Sequence, residues 1–363
     1  MCIRDRGLSL LGLGAPGKAI PLFERCYQTW TAKLGLDHID TLNSMNNLAR
    51  AYQSAGKLGF AQPLYEESFR LMEARRGPDH PHTQVFKNNL AVCYEAVGRT
   101  DRALVIFEEL LKLQQTQLGH DHPDTLTKMS NLARCYASVG KLNLALPLEE
   151  EALKLSKATL GPDHPATVRR MNNLASSYKS AGKYDKALVL HEESFEIQRA
   201  KLGPYHPATL GNMNNLANSY ESVGKTALAL SLYEETLKLM KARLGLDHPN
   251  TLTCMSSLAG CYRMAGKIDL ALPLFEETLK IRKSTLGLDH PDTISSMSHL
   301  ALAYWSTEKI DLALPLCEQT LKLRKAKLGL DHPDTLLSMN NLALCYHSNE
   351  QFDLALPLLE ETL

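Results

Sequence analysis

Eight glycines, Gly35, Gly77, Gly119, Gly161, Gly203, Gly245, Gly287 and Gly329, recur at steps of 42 residues. A fixed period of this size means that one supersecondary unit is copied along the chain, each copy packing on its neighbours and not on a central core. The same constraint settles the question of size. As one compact domain 363 residues would be large, whereas a stacked array has no such ceiling.

From Gly329 the unit reads GLDHPDTLLSMNNLALCYHSNEQFDLALPLLEETL. Leu336, Met339, Leu342 and Tyr346 fall at helical spacing and form one apolar face. Pro333 suits a first helical position, where its missing N–H costs nothing, and the preceding Asp331-His332 offers a side-chain cap. This predicts a helix A over roughly 333 to 348. A helix B is predicted from Lys309 to Leu328, with Ile310, Leu314, Cys317, Leu321 and Leu328 as its buried stripe. Pro315 is expected near its first turn. Lys322, Arg324, Lys325 and Lys327 crowd the negative end of its dipole, and Gly329 supplies a left-handed stop. No strand pattern is present. Each unit is therefore a pair of antiparallel helices whose apolar faces only a neighbour can cover.

The framework residues carry a resemblance. Tyr52 of helix A recurs as Tyr94, Tyr136, Tyr178, Tyr220, Tyr262, Tyr304 and Tyr346. Ala61 of helix B recurs at the same register from Ala19 to Ala355, where a small side chain lets two helices approach closely. Residues 7 to 363 thus resemble the tetratricopeptide repeat, and more closely its longer, kinesin-light-chain-like form. The ordinary unit has 34 residues. Here helix B and the Gly-x-Asp-His-Pro-x-Thr turn are extended. The resemblance implies an all-α, α-α solenoid: a right-handed superhelix of antiparallel helix pairs.

Residues 7–363 give about eight and a half units. The array is expected to be truncated at both ends, since Leu10 aligns with Tyr52, Leu363 aligns with Leu321, and no polar capping helix is evident. The opening MCIRDRGLSLLGLG has the charged front and short apolar stretch of a signal peptide, but residues 7–14 already fit the repeat. Residues 1–6 do not fit and are set apart as a non-repeat leader.

Several features invite a chemical reading. Gly12 to Ala19 has the spacing of a phosphate-binding loop, but Ala19 stands where Ser or Thr would hold Mg²⁺, and no strand precedes it. In register it is an ordinary interhelix turn. His38, His80, His122, His164, His206, His248, His290 and His332 share one repeat position. Neighbouring helices lie about 8–10 Å apart, too far for successive copies to share a zinc ion held at about 2.0–2.1 Å per ligand. Helix entry and turn packing are their expected role, and no metal or other cofactor is expected. Cys93, Cys135, Cys261 and Cys345 precede the repeat Tyr, where other units carry Ala or Ser. They are read as small buried side chains. One-repeat spacing exceeds disulfide reach, so all eight cysteines are expected to be free thiols in a reducing, cytoplasmic setting.

Helix A also carries an asparagine pair: Asn46-Asn47, Asn88-Asn89, Asn172-Asn173, Asn214-Asn215 and Asn340-Asn341, with Ser130-Asn131 a partial copy. In the family, helix A lines the concave groove, and a peptide-clamping Asn lies five residues before the helix A Tyr. The resemblance transfers that role to Asn47, Asn89, Asn131, Asn173, Asn215 and Asn341. A carboxamide both donates and accepts, so it can pair with either backbone group of an extended chain whatever its sequence. A ladder between adjacent A helices is the competing reading, and the groove is favoured over it. Arg134, Arg169 and Lys179 make the first half of the groove basic, while Leu302, Trp305 and Leu344 make its end apolar. Trp305 either anchors a partner or packs on its neighbour.

Lys plus Arg and Asp plus Glu are both 40, and the resulting zero net charge argues against phosphate-backbone binding to nucleic acid. No apolar run approaches the roughly 18 residues of a membrane span. No unit breaks the pattern with clustered acid, base and nucleophile, so no enzyme is expected. The expected function is a scaffold or adaptor that binds an extended peptide or protein tail in the groove. A kinesin-light-chain-like cargo adaptor and a regulatory arm of a larger signalling enzyme are the alternatives, and open repeat ends could self-associate end to end.

Overall fold

The computed structural model describes residues 3–362. Met1, Cys2 and Leu363 lie outside it, and with them part of the expected leader, one of the eight cysteines and the last aligned position. Among the described residues there are eighteen helices and no strand. The A helices are α1 (Ile3–Gly12), α3 (Ile39–Ser54), α5 (Pro81–Ala96), α7 (Pro123–Ser138), α9 (Pro165–Ser180), α11 (Pro207–Ser222), α13 (Pro249–Met264), α15 (Pro291–Trp305) and α17 (Pro333–Ser348). The B helices are α2 (Pro16–Leu34), α4 (Leu58–Arg76), α6 (Thr100–Leu118), α8 (Leu142–Thr159), α10 (Tyr184–Leu202), α12 (Thr226–Leu244), α14 (Ile268–Leu286), α16 (Ile310–Leu328) and α18 (Phe352–Glu361). Each packs chiefly on its predecessor and successor, as a solenoid requires. Residues 3–6 form the first turn of α1.

The repeated histidine begins each A helix from α3 onward. His332 Nδ1 accepts the Asp334 amide at 3.1 Å, and the other seven make the same bond at 3.1–3.2 Å. The cap is thus the imidazole alone, and Asp331 takes no part in it. Such a bond requires a neutral Nδ1. Three expectations for helix B need correction. Its buried residues include Thr320 and Arg324, whereas Ile310, Leu314 and Leu328 are only partly buried. Arg324 can be buried because it donates to the Asp334 carbonyl at 2.9 Å and to Ser338 Oγ at 2.8 Å on α17. Pro315 is the sixth residue of α16, in the second turn, so one ladder bond is lost. Gly329 has φ +88° and ψ 177°, an extended left-hand conformation that sends the chain away from the helix axis, not the tight left-handed stop.

The core lies between each B helix and the A helix that follows it. A large residue on B meets a small one on A, always 28 residues later: Tyr65 with Cys93, Phe107 with Cys135, Tyr233 with Cys261 and Phe275 with Ala303. The small slot read from sequence is real, since Cys93, Cys135, Cys261 and Cys345 are all buried. Two central interfaces depart, with Glu149 against Ser177 and His191 against Ser219.

The superhelix curves until it meets itself. The turn before α4 touches the start of α15, where His290 Nε2 lies 3.2 Å from the Ser54 carbonyl. Lys327 donates to the Gly56 carbonyl at 3.3 Å and is paired with Asp289 at 3.0 Å. Gly14 packs on Pro249, Gly56 on Pro291 and Gly98 on His332. The offset of 234 to 236 residues in the Ser54 and three glycine packing contacts is about five and a half units, one full turn. Gly56 has φ +67°, and a methyl group there would overlap Pro291.

Candidate functional site

Successive A helices approach one another more closely than successive B helices do, so the A helices form the inner side of the curve. The asparagine pairs lie on that side. Their side chains are half-buried except Asn340, which is exposed, and Asn341, which is buried.

In the first units the carboxamides bond to each other across adjacent A helices. Asn89 Nδ2 donates to Asn46 Oδ1 at 3.3 Å, and Asn131 Nδ2 donates to Asn88 Oδ1 at 3.0 Å. The second member of each pair thus reaches back to the first member of the pair before it. Lys128 Nζ also donates to Asn88 Oδ1 at 3.0 Å. Asn172 donates to Asn212 Oδ1 at 3.0 Å and accepts from Ser194 at 2.9 Å. Further along, the same column reads Asn214, Ser256 and Ser298. There Asn214 Oδ1 and the hydroxyls of Ser256 and Ser298 are buried and find no partner among the described residues. Asn47, Asn173 and Asn215 stand beside this column.

Charged side chains alternate one turn further along the A helices. Arg134 is paired with Glu95. Burial holds the Lys179 ammonium below its usual pKa, with Glu221 opposing. Burial raises the Glu221 carboxyl, against a hydrogen bond from Tyr233 and the charges of Lys179 and Arg263. The result is a belt of compensated charge, less basic than Arg134 and Lys179 alone suggested. Trp305 packs toward the cluster containing Cys317 and Cys345, and its indole N–H donates to Ser348 on α17 at 2.8 Å. It has a neighbour for both its ring and its polar atom.

A cavity of about 1470 Å³ opens where the two superhelical turns meet. Gln53, Glu95 and Arg134 face it from the first turn, and Pro291, Arg324 and Lys327 from the second. Sequence reasoning missed this site, because nothing local reports a contact across one superhelical turn. It also missed Lys128, whose bond to Asn88 brings it into the groove.

Gly12 to Ala19 is the end of α1, a turn and the start of α2, and Gly14 lies against Pro249. No group of three or more His, Cys, Asp or Glu could hold a metal ion among the described residues, and no described helix is long and apolar enough to cross a membrane.

The model of the tetratricopeptide repeat matches seven times, over residues 1–74, 83–158, 128–200, 167–242, 208–284, 269–326 and 292–363. A Podosopora anserina protein of nearly identical TPR-like repeats, named for kinesin light chain, is 29% identical, covers 56% of this chain and 97% of its own, and superposes with a TM-score of 0.47. A Rap protein complexed with Competence and Sporulation Factor has a TM-score of 0.62 at 11% identity over 99% of this chain and 95% of its own. The apo quorum sensor NprR of B. thuringiensis has a TM-score of 0.57 at 14% identity, over 99% of this chain and 96% of its own. These last two share the fold alone. No curated protein matches. With its 42-residue period and seven matches spread along its length, the chain belongs to the tetratricopeptide repeat family, in a long-repeat form.

Proposed function

We propose that the chain is a scaffold or adaptor that holds an extended peptide or protein tail along the inner face of its superhelix. Repeats of this family typically serve protein–protein interaction, and one structure of the same fold, the Rap protein, was solved with a bound factor. The observation that carries the reading is the asparagine column. Its first units are satisfied internally, while Asn214, Ser256 and Ser298 bury polar atoms with no partner among the described residues. Burying such a group unpaired costs about 1–3 kcal/mol, so a turn of these side chains toward a backbone N–H or C=O in the groove would be favoured. An extended strand advances about 3.3 Å per residue, and helices step by about 8–10 Å. Each unit would then meet every third residue of the bound chain. Asn47, Asn89, Asn131, Asn173, Asn215 and Asn341 would hold the backbone, and Arg134, Lys179 and Trp305 would select side chains.

The test is a pull-down from lysate, read by mass spectrometry, with the parent chain and a variant carrying Asn131→Ala, Asn173→Ala and Asn215→Ala. Circular dichroism first establishes equal helicity. Partners captured by the parent and lost by the variant support the groove. The same partners captured by both place binding on the outer face and leave the asparagines as a structural ladder.

A further inference from the structure

Across the junction of α16 and α17 the repeat departs from its large-on-small rule. Where earlier units set Tyr65, Phe107, Tyr233 or Phe275 on helix B, this one has Cys317, and the slot opposite holds Cys345. The two sulfurs lie 3.4 Å apart, and both side chains are buried. We propose that Cys317 and Cys345 are an oxidisable dithiol that closes to a disulfide, stapling α16 to α17.

The geometry favours it in three ways. A disulfide needs the sulfurs at about 2.05 Å, so closure asks for a movement of only about 1.4 Å. Two short thiols face each other here, where other units set a phenyl or phenol ring against a small side chain. The partner slot accepts Cys without strain, as Cys93, Cys135 and Cys261 show at the same register. The pair is also polarised. The Cys317 thiol hydrogen-bonds to Cys345, which pulls Cys345 down from the ordinary thiol pKa and pushes Cys317 up. Cys93, Cys135 and Cys261 are held up by burial. A thiol eased toward its thiolate in this way is the more reactive form of the pair.

With a peroxide as oxidant, one sulfur of the pair attacks one oxygen and the O–O bond breaks, giving a sulfenic acid and water. The other sulfur then displaces the second oxygen as water and the S–S bond forms. Two thiol protons and two electrons pass to the peroxide. Because both sulfurs are buried, the first step is gated by local opening of the helices around them. The staple would fix the spacing of α16 and α17, and α17 is held in turn to α15 by the Trp305–Ser348 hydrogen bond.

The folded chain is treated with hydrogen peroxide, quenched, alkylated in denaturant and mapped by mass spectrometry. The expected result is a Cys317–Cys345 cross-linked peptide that has lost two hydrogens, with Cys93, Cys135 and Cys261 still alkylated, and a higher Tm that returns to its starting value on reduction. A Cys345→Ala variant, which copies Ala303 of the preceding unit, should fold with the same helicity and show no Tm shift under peroxide. Both cysteines remaining alkylatable, oxidation stopping at sulfinic acid, or cross-links distributed among the other cysteines would each overturn the proposal.

Discussion

The Tyr178 hydroxyl donates to Glu150 Oε1 at 2.6 Å, joining helix A of one unit to helix B of the unit before it across 28 residues. The same bond recurs at every junction, from Tyr52 with Glu24 to Tyr346 with Glu318, at 2.5–3.1 Å. Burial and the neighbouring carboxylate push the Tyr178 phenol up to about 12, so it stays a protonated donor throughout the neutral range. Tyr178→Phe should leave the helix content unchanged and lower stability by about 1 kcal/mol, the usual net worth of one hydrogen bond. Urea denaturation followed by circular dichroism would measure it. Glu150→Gln should cost less, because an amide oxygen still accepts.

The two polar interfaces answer pH in opposite senses. Burial raises the Glu149 carboxyl from 4.5 to about 7. Its stabilising contribution is full below pH 4.5 and is lost as pH rises through 7. Burial, helped by the Lys179 charge, lowers His191 from 6.5 to about 4. Its contribution is full above pH 6.5 and is lost as pH falls through 4. Each is worth about 3 kcal/mol at its limit, and between pH 4.5 and 6.5 the slopes offset. His191→Phe should therefore make stability fall between pH 4.5 and 7 relative to the parent. Glu149→Phe should make it fall between pH 6.5 and 4. Urea midpoints at four pH values distinguish the cases, and parallel profiles for both variants would refute the assignment.

Glu308 and Glu350 have φ +58° and +57° and are the only positive-φ residues other than glycine among those described. They occupy the interhelix turn position that glycine fills in the seven earlier units, from Gly14 to Gly266. A left-handed conformation costs an L-residue about 1–2 kcal/mol, partly offset by the greater chain entropy of glycine. Glu308→Gly should raise stability by about 0.5–1 kcal/mol, read as a rise in Tm.

The meeting of the two turns can be isolated with paired substitutions. Gly56 and Gly182 have φ +67° and +71°, but only Gly56 faces another part of the chain, at Pro291. Both Gly→Ala changes should cost about 1–2 kcal/mol for the backbone. Gly56→Ala alone should also separate the turns and enlarge the radius of gyration in small-angle X-ray scattering. Equal scattering from the two variants would mean that the turns do not hold each other in solution.

Much of this was legible in the sequence, because a repeat states its local structure many times over. Helix bounds 333–348 coincide with α17, and the slot of Cys93 and Cys135 is where the period places it. The glutamate partners of the tyrosines were also on the page, at a fixed 28-residue offset, but a tyrosine at a packing position does not declare where its hydroxyl points. The reach argument for cysteine compared copies one repeat apart, so it passed over Cys317 and Cys345, which meet across a B-to-A junction. The contacts of Ser54 with His290 and of Gly56 with Lys327 depend on the rotation between units summed over a whole turn. A small change in that rotation would move them apart, and no local pattern encodes it.

The residues that match each other at the 28-residue offset straddle the glycine that punctuates the repeat. Phe107 belongs with Cys135, His191 with Ser219 and Glu192 with Tyr220, yet each lies on the far side of that glycine from its mate. The heritable block of this array is therefore not the segment the eye picks out between two glycines. It runs from one helix B through the following helix A. A recombination event that breaks at the interhelix turn passes on intact interfaces, whereas one that breaks at Gly119 or Gly203 brings together surfaces with no shared history.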